Sequence, residues 1–299
     1  MIRLLSSELL RARSRRLVKV LLIVGVLGIL VGVTNGAVHS SKPPAAQLAL
    51  AEHKRAANIQ TCMKGYRNIP PTLIPADSCA TSVRDYLAEP AFDVNDIGGL
   101  LRGTSINLIV IGWLVGASLA GAEWAAGTMT TLLTWEPRRI RVLLAKLAAA
   151  IITVLVLTLA LQLFLAGALW LLAATRGANM PDPGLWSGIL GSLLRVSALA
   201  AVATVFGMAI AMYTRSVTAA MASGFIYLAV VEGLIRGYRP GLAHYLIGDN
   251  AAAWVSGRPF RSGVSGIPVT PAHGAVVLLI YAAVLVVAAA VSFRGRDVT

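Results

Sequence analysis

The side chains that most often carry chemistry are few in this chain and poorly spaced for it. The four histidines, His39, His53, His244 and His273, include no pair at the His-Glu-x-x-His spacing that lets one helix face hold a metal. Gly263-Val264-Ser265-Gly266 does not meet the Gly-x-Ser-x-Gly spacing of a nucleophile elbow. No glycine-rich loop closes on Gly-Lys-Ser or Gly-Lys-Thr, so the chain has no P-loop for ATP. What remains is charge placed among apolar residues, and two cysteines. Arg195 and Glu232 stand inside apolar stretches, where an ionisable group is costly and marks a functional position by default. Two readings are open for them: they pair, or each snorkels separately to the membrane interface. Cys62 and Cys79 fall in one polar segment, where a disulfide would close a loop of about 18 residues, worth about 3 kcal/mol by chain entropy. An oxidising side of the membrane favours that bond over two unrelated thiols.

The elements that must position these groups follow from composition. Apolar residues make up 57% of the 299 and charged residues 13%, about half the charged share of soluble domains. The apolar residues come in blocks long enough to cross a bilayer, each near the required ~20 residues. Six such stretches occupy 17–38, 97–121, 147–174, 188–213, 217–235 and 273–293. The expected fold is therefore an all-α integral membrane protein with six transmembrane helices. The first stretch is too long, and too lacking in a cleavage site, to be a signal peptide, and is expected to remain as a helix.

The net charge of +13 does not indicate nucleic acid, because the basic residues collect at one set of helix ends. Arg3, Arg11, Arg13, Arg15, Arg16 and Lys19 precede the first stretch, and Arg138, Arg139, Arg141 and Lys146 separate the second from the third. The positive-inside rule then puts both termini in the cytoplasm. Arg236, Arg239, Arg258 and Arg261 run against the rule, but the amino-terminal cluster dominates. Residues 1–16, with Leu4, Leu5, Leu9 and Leu10 at helical spacing among arginines, are expected to form an amphipathic helix on the inner surface. The outer loops are 39–96, with a helix expected over 47–66 ahead of Pro70, Pro71 and Pro75, and 236–272. Gly112–Gly116 and Gly184–Gly188 have the small-x-x-x-small spacing that permits close helix contact.

The most informative stretch is 121–146, Gly-Ala-Glu-Trp-Ala-Ala-Gly-Thr-Met-Thr-Thr-Leu-Leu-Thr-Trp-Glu-Pro-Arg-Arg-Ile-Arg-Val-Leu-Leu-Ala-Lys. Glu123 lies near the carboxy-terminal end of its helix, where a carboxylate opposes the helix dipole by up to about 1 kcal/mol. Gly127 weakens the helix, Thr128 is placed to cap a short new one, and Pro137 suits the first turn of the next span. Arg138 and Arg139, at a helix amino terminus, also oppose the dipole. Neither charge choice serves its own helix, which points to a partner outside the chain.

Here the sequence resembles the permease subunits of ATP-binding-cassette exporters of the drug, antibiotic and polysaccharide type. Glu123, Gly127, Thr128, Leu132, Leu133, Pro137, Arg139 and Lys146 match the Glu-x-x-x-Gly-Thr, leucine, Pro-x-Arg and lysine pattern of that family. Glu8 followed by arginines, and Phe293-Arg294-Gly295-Arg296-Asp297, are similar to the family's two ends; the long cysteine-bearing loop is not. The resemblance implies a cytoplasmic coupling helix near 123–135, resting on a separate ATPase subunit that alone binds ATP and Mg. The coupling residues would be Glu123, Gly127, Thr128, Leu132, Leu133, Pro137, Arg138 and Arg139. It further implies a second permease protomer, identical or related, a substrate path between the two, and a bacterial inner membrane with its lipid as surroundings. No cofactor would be bound by this chain. A membrane scaffold or sensor subunit using the large outer loops is the alternative.

Overall fold

The computed structural model describes residues 2–67, 79, 81, 83–87, 91–178, 181–261 and 268–295. Pro70, Pro71, Pro75, the 263–266 stretch, Arg296 and Asp297 lie outside the described residues. The chain is helical almost throughout, and its apolar blocks dictate this, since a bilayer offers no partner to an unpaired backbone group. The helices are α1 (Ile2–Ser14), α2 (Arg16–Val38), α3 (Ala45–Gly65), α4 (Ile97–Gly103) and α5 (Ser105–Ala125). They continue as α6 (Thr128–Trp135), α7 (Arg139–Arg176), α8 (Leu185–Thr214), α9 (Val217–Ile226) and α10 (Glu232–Tyr238). α11 (Ile247–Ser256) and α12 (Pro271–Gly295) complete the set.

Among the described residues, six segments are long and apolar enough to cross a membrane: Arg16–Val38, Val94–Ala125, Arg139–Arg176, Leu185–Thr214, Val217–Tyr238 and Pro271–Gly295. This is a multi-pass membrane protein, as the sequence predicts. Each segment extends to or beyond its predicted bounds. At ~1.5 Å per residue α7 is roughly 57 Å long, well over the ~30 Å of a hydrocarbon core. The fifth segment is not uniform: a π-helical turn, Tyr227–Val231, separates α9 from α10.

Two compact units form, one from residues 1–25, 101–162 and 190–299, the other from 26–100 and 163–189. In the smaller unit α3 covers the predicted 47–66 helix, and Cys62 is bonded to Cys79 with Cα atoms 5.8 Å apart. Arg55 of α3 pairs with Asp182 at 3.7 Å, and the Arg176 guanidinium donates to the Ala37 carbonyl at 3.0 Å. A two-residue parallel ladder joins Phe92–Asp93 to Gly177–Ala178.

In the larger unit glycine sets the distance between α5 and α8. A Cβ on Gly112 would press on the Ala200 carbonyl, one on Gly116 on the Thr204 carbonyl, and one on Gly207 on the Trp113 carbonyl. Backbone meets backbone here, as small-residue packing allows. Trp113 then reaches across α9, its indole N–H donating to the Ala220 carbonyl at 2.9 Å. Gly184–Gly188 has no such role: a Cβ at Gly188 would meet nothing within 4 Å. Equal spacing in sequence thus has unequal meaning, because only the first pair faces another helix.

Two outcomes are expected. Gly116→Ala should lower the unfolding temperature in detergent, with a loss of roughly 1–3 kcal/mol for overpacking against backbone, while Gly188→Ala should be neutral or slightly stabilising. Equal effects would mean that α5 and α8 are not in backbone contact. Cys62 and Cys79 should resist alkylation in protein extracted without reductant and react after reduction, and free thiols at extraction would contradict the bond.

Candidate functional site

The end of α5 gathers side chains from most of the larger unit. Glu123 stands two residues before the helix ends and is buried, 7% exposed. Lys146, about 10 Å along α7, is 2% exposed, and its Nζ lies 2.5 Å from Glu123 Oε2. The same ammonium donates to both oxygens of Glu8 in α1, at 2.9 and 3.0 Å. Arg15, in the single-residue break between α1 and α2, completes the group. Its guanidinium is 3.5 Å from Glu123 Oε1 and donates to the Ser118 carbonyl at 2.7 Å. Two carboxylates and two cations therefore balance, and Arg11 adds a rim contact to Glu8 at 3.2 Å.

This cluster overturns one inference from sequence. Glu123 opposes the dipole of α5, and Lys146 stands about two turns into α7. Their partners are each other and Glu8, all within the chain. Arg139 is likewise committed internally: its Nη1 donates to the Phe293 carbonyl at 3.0 Å. That contact supplies a donor and a positive charge to the carboxy-terminal end of α12, where both are favourable. Arg138 is exposed.

Trp124, next to Glu123, faces the other way. Its ring meets Phe293 edge-on at 6.1 Å between centroids, and the Arg215 guanidinium lies over it at 4.5 Å. Arg215 occupies the turn between α8 and α9 with φ 57°, a left-handed conformation uncommon for a residue with a Cβ. Consecutive residues of α5 thus hold α1 and α7 on one side and the α8–α9 turn and α12 on the other.

Beyond this anchor the chain turns at Gly127, whose φ of 66° reverses it into α6. The cap position of α6 is Gly127 and not Thr128, which is the first helical residue and whose hydroxyl donates to the Glu123 carbonyl at 3.4 Å. Pro137 also sits differently from expectation. It lies in the extended link before α7, and its carbonyl accepts from the Arg139 N–H at 2.9 Å. Met129 roots α6 at 1% exposure, Leu132 and Leu133 are half-buried, and Trp135 projects at 85% exposure.

The second buried acid forms a separate, local site. Glu232 accepts from the Gly248 N–H at 2.7 Å, capping the first turn of α11, and from Arg236 Nη2 at 3.0 Å. Arg236 also reaches Asp249 at 2.7 Å. Arg195 is not the partner of Glu232; it lies against Gly257. Glu232 and Arg236 are four apart on one helix, a spacing that puts them face to face and was visible in the sequence. The sequence held no comparable sign of Arg15, Trp124 or Arg215, whose partners are about a hundred residues away or more, or of Asp249, which belongs to another helix.

A family model described as a protein of unknown function (DUF2705) matches residues 99–299, 201 of the 299. The chain belongs to that family. Among curated proteins, none matches it. The region shared with DUF2705 contains Glu123, α6, Lys146, Glu232 and Arg236, while Glu8, Arg15 and the disulfide precede it.

Removing Lys146 from this DUF2705 chain leaves two carboxylates facing each other in a buried place. Lys146→Met should cost roughly 3–5 kcal/mol, and adding Glu8→Gln with Glu123→Gln should restore most of it. Thermal unfolding of the purified variants measures this. Additive losses in the triple variant would show that the four groups are not one network.

Proposed function

We propose that this chain is the membrane-spanning subunit of an ATP-driven exporter, working as a dimer with a separate ATPase that binds ATP and Mg. One observation carries the reading. An eight-residue helix, set off by a left-handed glycine on one side and by extended Glu136 on the other, is inserted between two spans whose bases are locked together by buried charge. A push on α6 would move α5, α7 and α1 as a body, because Lys146 ties all three. Such a link is what a coupling helix requires: firm roots, and a free face for the motor. On this reading α6 is the coupling helix, cytoplasmic together with both termini, α1 is the amphipathic surface helix beside it, and the membrane is a bacterial inner membrane.

The reading also reassigns roles among the coupling residues. Glu123 and Arg139 act as roots that set the position of α6, while Thr128, Leu132, Leu133, Pro137 and Arg138 flank or form the face offered to the ATPase. The exposed Trp135 is the residue best placed for that contact, since aromatic side chains dominate interface energetics. A sensor subunit is favoured only by the disulfide-held α3, and it leaves α6 without a task.

Glu123→Ala is not a clean probe, because it uncouples Lys146 and should unfold the end of α5. Trp135→Ala is clean. It should leave the unfolding temperature unchanged, yet reduce ATPase recovery in co-purification, or transport per ATP in reconstituted vesicles, by about tenfold or more. Gly127→Leu, strained at φ 66° by roughly 1–2 kcal/mol, should act in the same direction. Wild-type protein that never co-purifies with an ATPase, or unimpaired flux in both variants, would sink the proposal.

A further inference from the structure

Glu123 and Arg139 oppose the dipoles of their own helices, and both are answered within the chain. Two further charges are not. Arg138 is the cap residue of α7, its carbonyl accepting from the Arg141 and Val142 N–H groups at 2.9 and 3.3 Å. A guanidinium in that place offers no acceptor to the open N–H groups of the first turn, as Ser, Thr, Asp or Asn would. Arg141 follows one turn on, so two like charges are neighbours at the positive end of a dipole. Both are exposed, and neither has an ion pair among the described residues. Glu136, two residues before Arg138, pairs with neither. A third exposed cation, Arg294, is carried to the same place by the end of α12. Arg139 Nη1 donates to the Phe293 carbonyl at 3.0 Å and to the Arg294 carbonyl at 3.4 Å. Phe293 also meets Trp124, so the end of α12 touches the chain on both flanks of α6.

Between those flanks α6 carries no charge at all. Its sequence, Thr-Met-Thr-Thr-Leu-Leu-Thr-Trp, exposes Thr130, Thr131, Thr134 and Trp135. An uncharged patch with one projecting aromatic is thus bordered by arginines. Protein interfaces have this composition: charge is depleted at the centre, aromatic residues and arginine are enriched, and the rim is polar. The positive-inside rule accounts for basic residues near helix ends, but not for a neutral, aromatic patch set among them. We propose that Arg138, Arg141 and Arg294 dock on an acidic rim of the ATPase subunit, around the groove that takes Trp135. The inference rests on the exporter reading and adds to it the chemistry of the partner's surface. Carboxylates suit the place, because the planar guanidinium fork gives them two parallel hydrogen bonds. Rim charges chiefly set the rate of encounter and its dependence on salt, whereas a central anchor sets the rate of escape.

The test uses the full-length chain, alone and in complex with its ATPase subunit. Association of the wild-type pair should weaken about tenfold or more between about 50 and 300 mM NaCl. At the lower salt, Arg138→Glu with Arg141→Glu should weaken it by a similar factor, mainly through the on-rate, and should flatten the salt dependence. Arg294→Glu should act in the same direction, and Lys54→Glu, which reverses an exposed cation in α3, should have no effect. A second measurement guards against misfolding. In the chain alone, Arg138→Gln with Arg141→Gln should hold or raise the unfolding temperature, because the two charges oppose their own helix. A lowered unfolding temperature would mean that the chain itself uses them, and would overturn the inference. So would a complex that ignores salt and the arginine variants yet is lost in Trp135→Ala, an outcome that leaves the exporter reading in place. Wild-type protein that forms no complex ends both. Variants that keep the ATPase but lose a wild-type preference for phosphatidylglycerol vesicles over phosphatidylcholine vesicles would assign the charges to the membrane surface, and the acidic rim would be refuted.

Discussion

The larger unit depends on one ammonium group held between two carboxylates. Lys146 is almost fully buried, and so are Glu8 and Glu123, which come from segments 115 residues apart. None of the three could be buried alone, since an unpaired charge in a low-dielectric interior costs several kcal/mol. Each is therefore a condition for the other two, and the segments carrying them must meet. That requirement brings α1 against α5 and α7, sets where α5 ends, and fixes the point from which α6 departs. Replacing the group by apolar side chains of similar volume would not necessarily weaken the protein, because the desolvation of buried ions offsets much of their attraction. The cluster is better understood as fixing which segments meet than as a source of stability.

Apolar packing could not give this definition alone. The spans are rich in alanine, valine and leucine all round, so no stripe of larger residues dictates which neighbour a helix takes. Lipid tails compete on equal terms for such surfaces. Where the structure does fix a neighbour, it uses steric or polar devices: glycine at Gly112, Gly116 and Gly207 for backbone contact, the Trp113 and Trp254 indoles to carbonyls, and the ion clusters at Lys146 and Arg236. α2, held beyond Arg16 by the Arg176 bond to the Ala37 carbonyl near its end, has no buried residue.

The sequence made the spans legible, because twenty apolar residues in a row have few other fates, and the bounds differ only where polar turns prolong a helix. The break at Gly127 and the short helix after it were readable from the glycine and threonine, and the disulfide from two cysteines in a polar segment. What could not be read was pairing. An acid in an apolar helix announces that a partner exists but not its address. For Glu232 the address is local, Arg236 on the next turn, whereas the sequence reading pairs it with Arg195 or leaves each to snorkel alone. For Glu123 it lies in two remote segments, so that in sequence a charge unhelpful to its own helix points to another protein. The dipole argument was sound as physics. It erred by treating each helix as alone, when Glu123 is answered by Lys146 of α7 and Arg139 by the carbonyl end of α12.

The two buried acids also show why similar signals carry different weight for function. Glu232 binds its own helix and the start of α11, so its loss would disturb a small region and release little else. Glu123 lies on the only covalent route from α5 through α6 to α7, and its partner Lys146 stands on the far side of that route. The closed loop so formed, helix, short helix, helix and salt bridge, makes α6 a lever with both ends clamped. A force on a clamped lever moves what holds it, whereas a force on a tethered loop is absorbed by the loop. The single left-handed glycine at its start and the extended residue at its end allow the lever to project without slackening the clamp. If a motor acts on this protein, α6 is the element through which work would reach the spans with least loss, and the buried lysine is the reason.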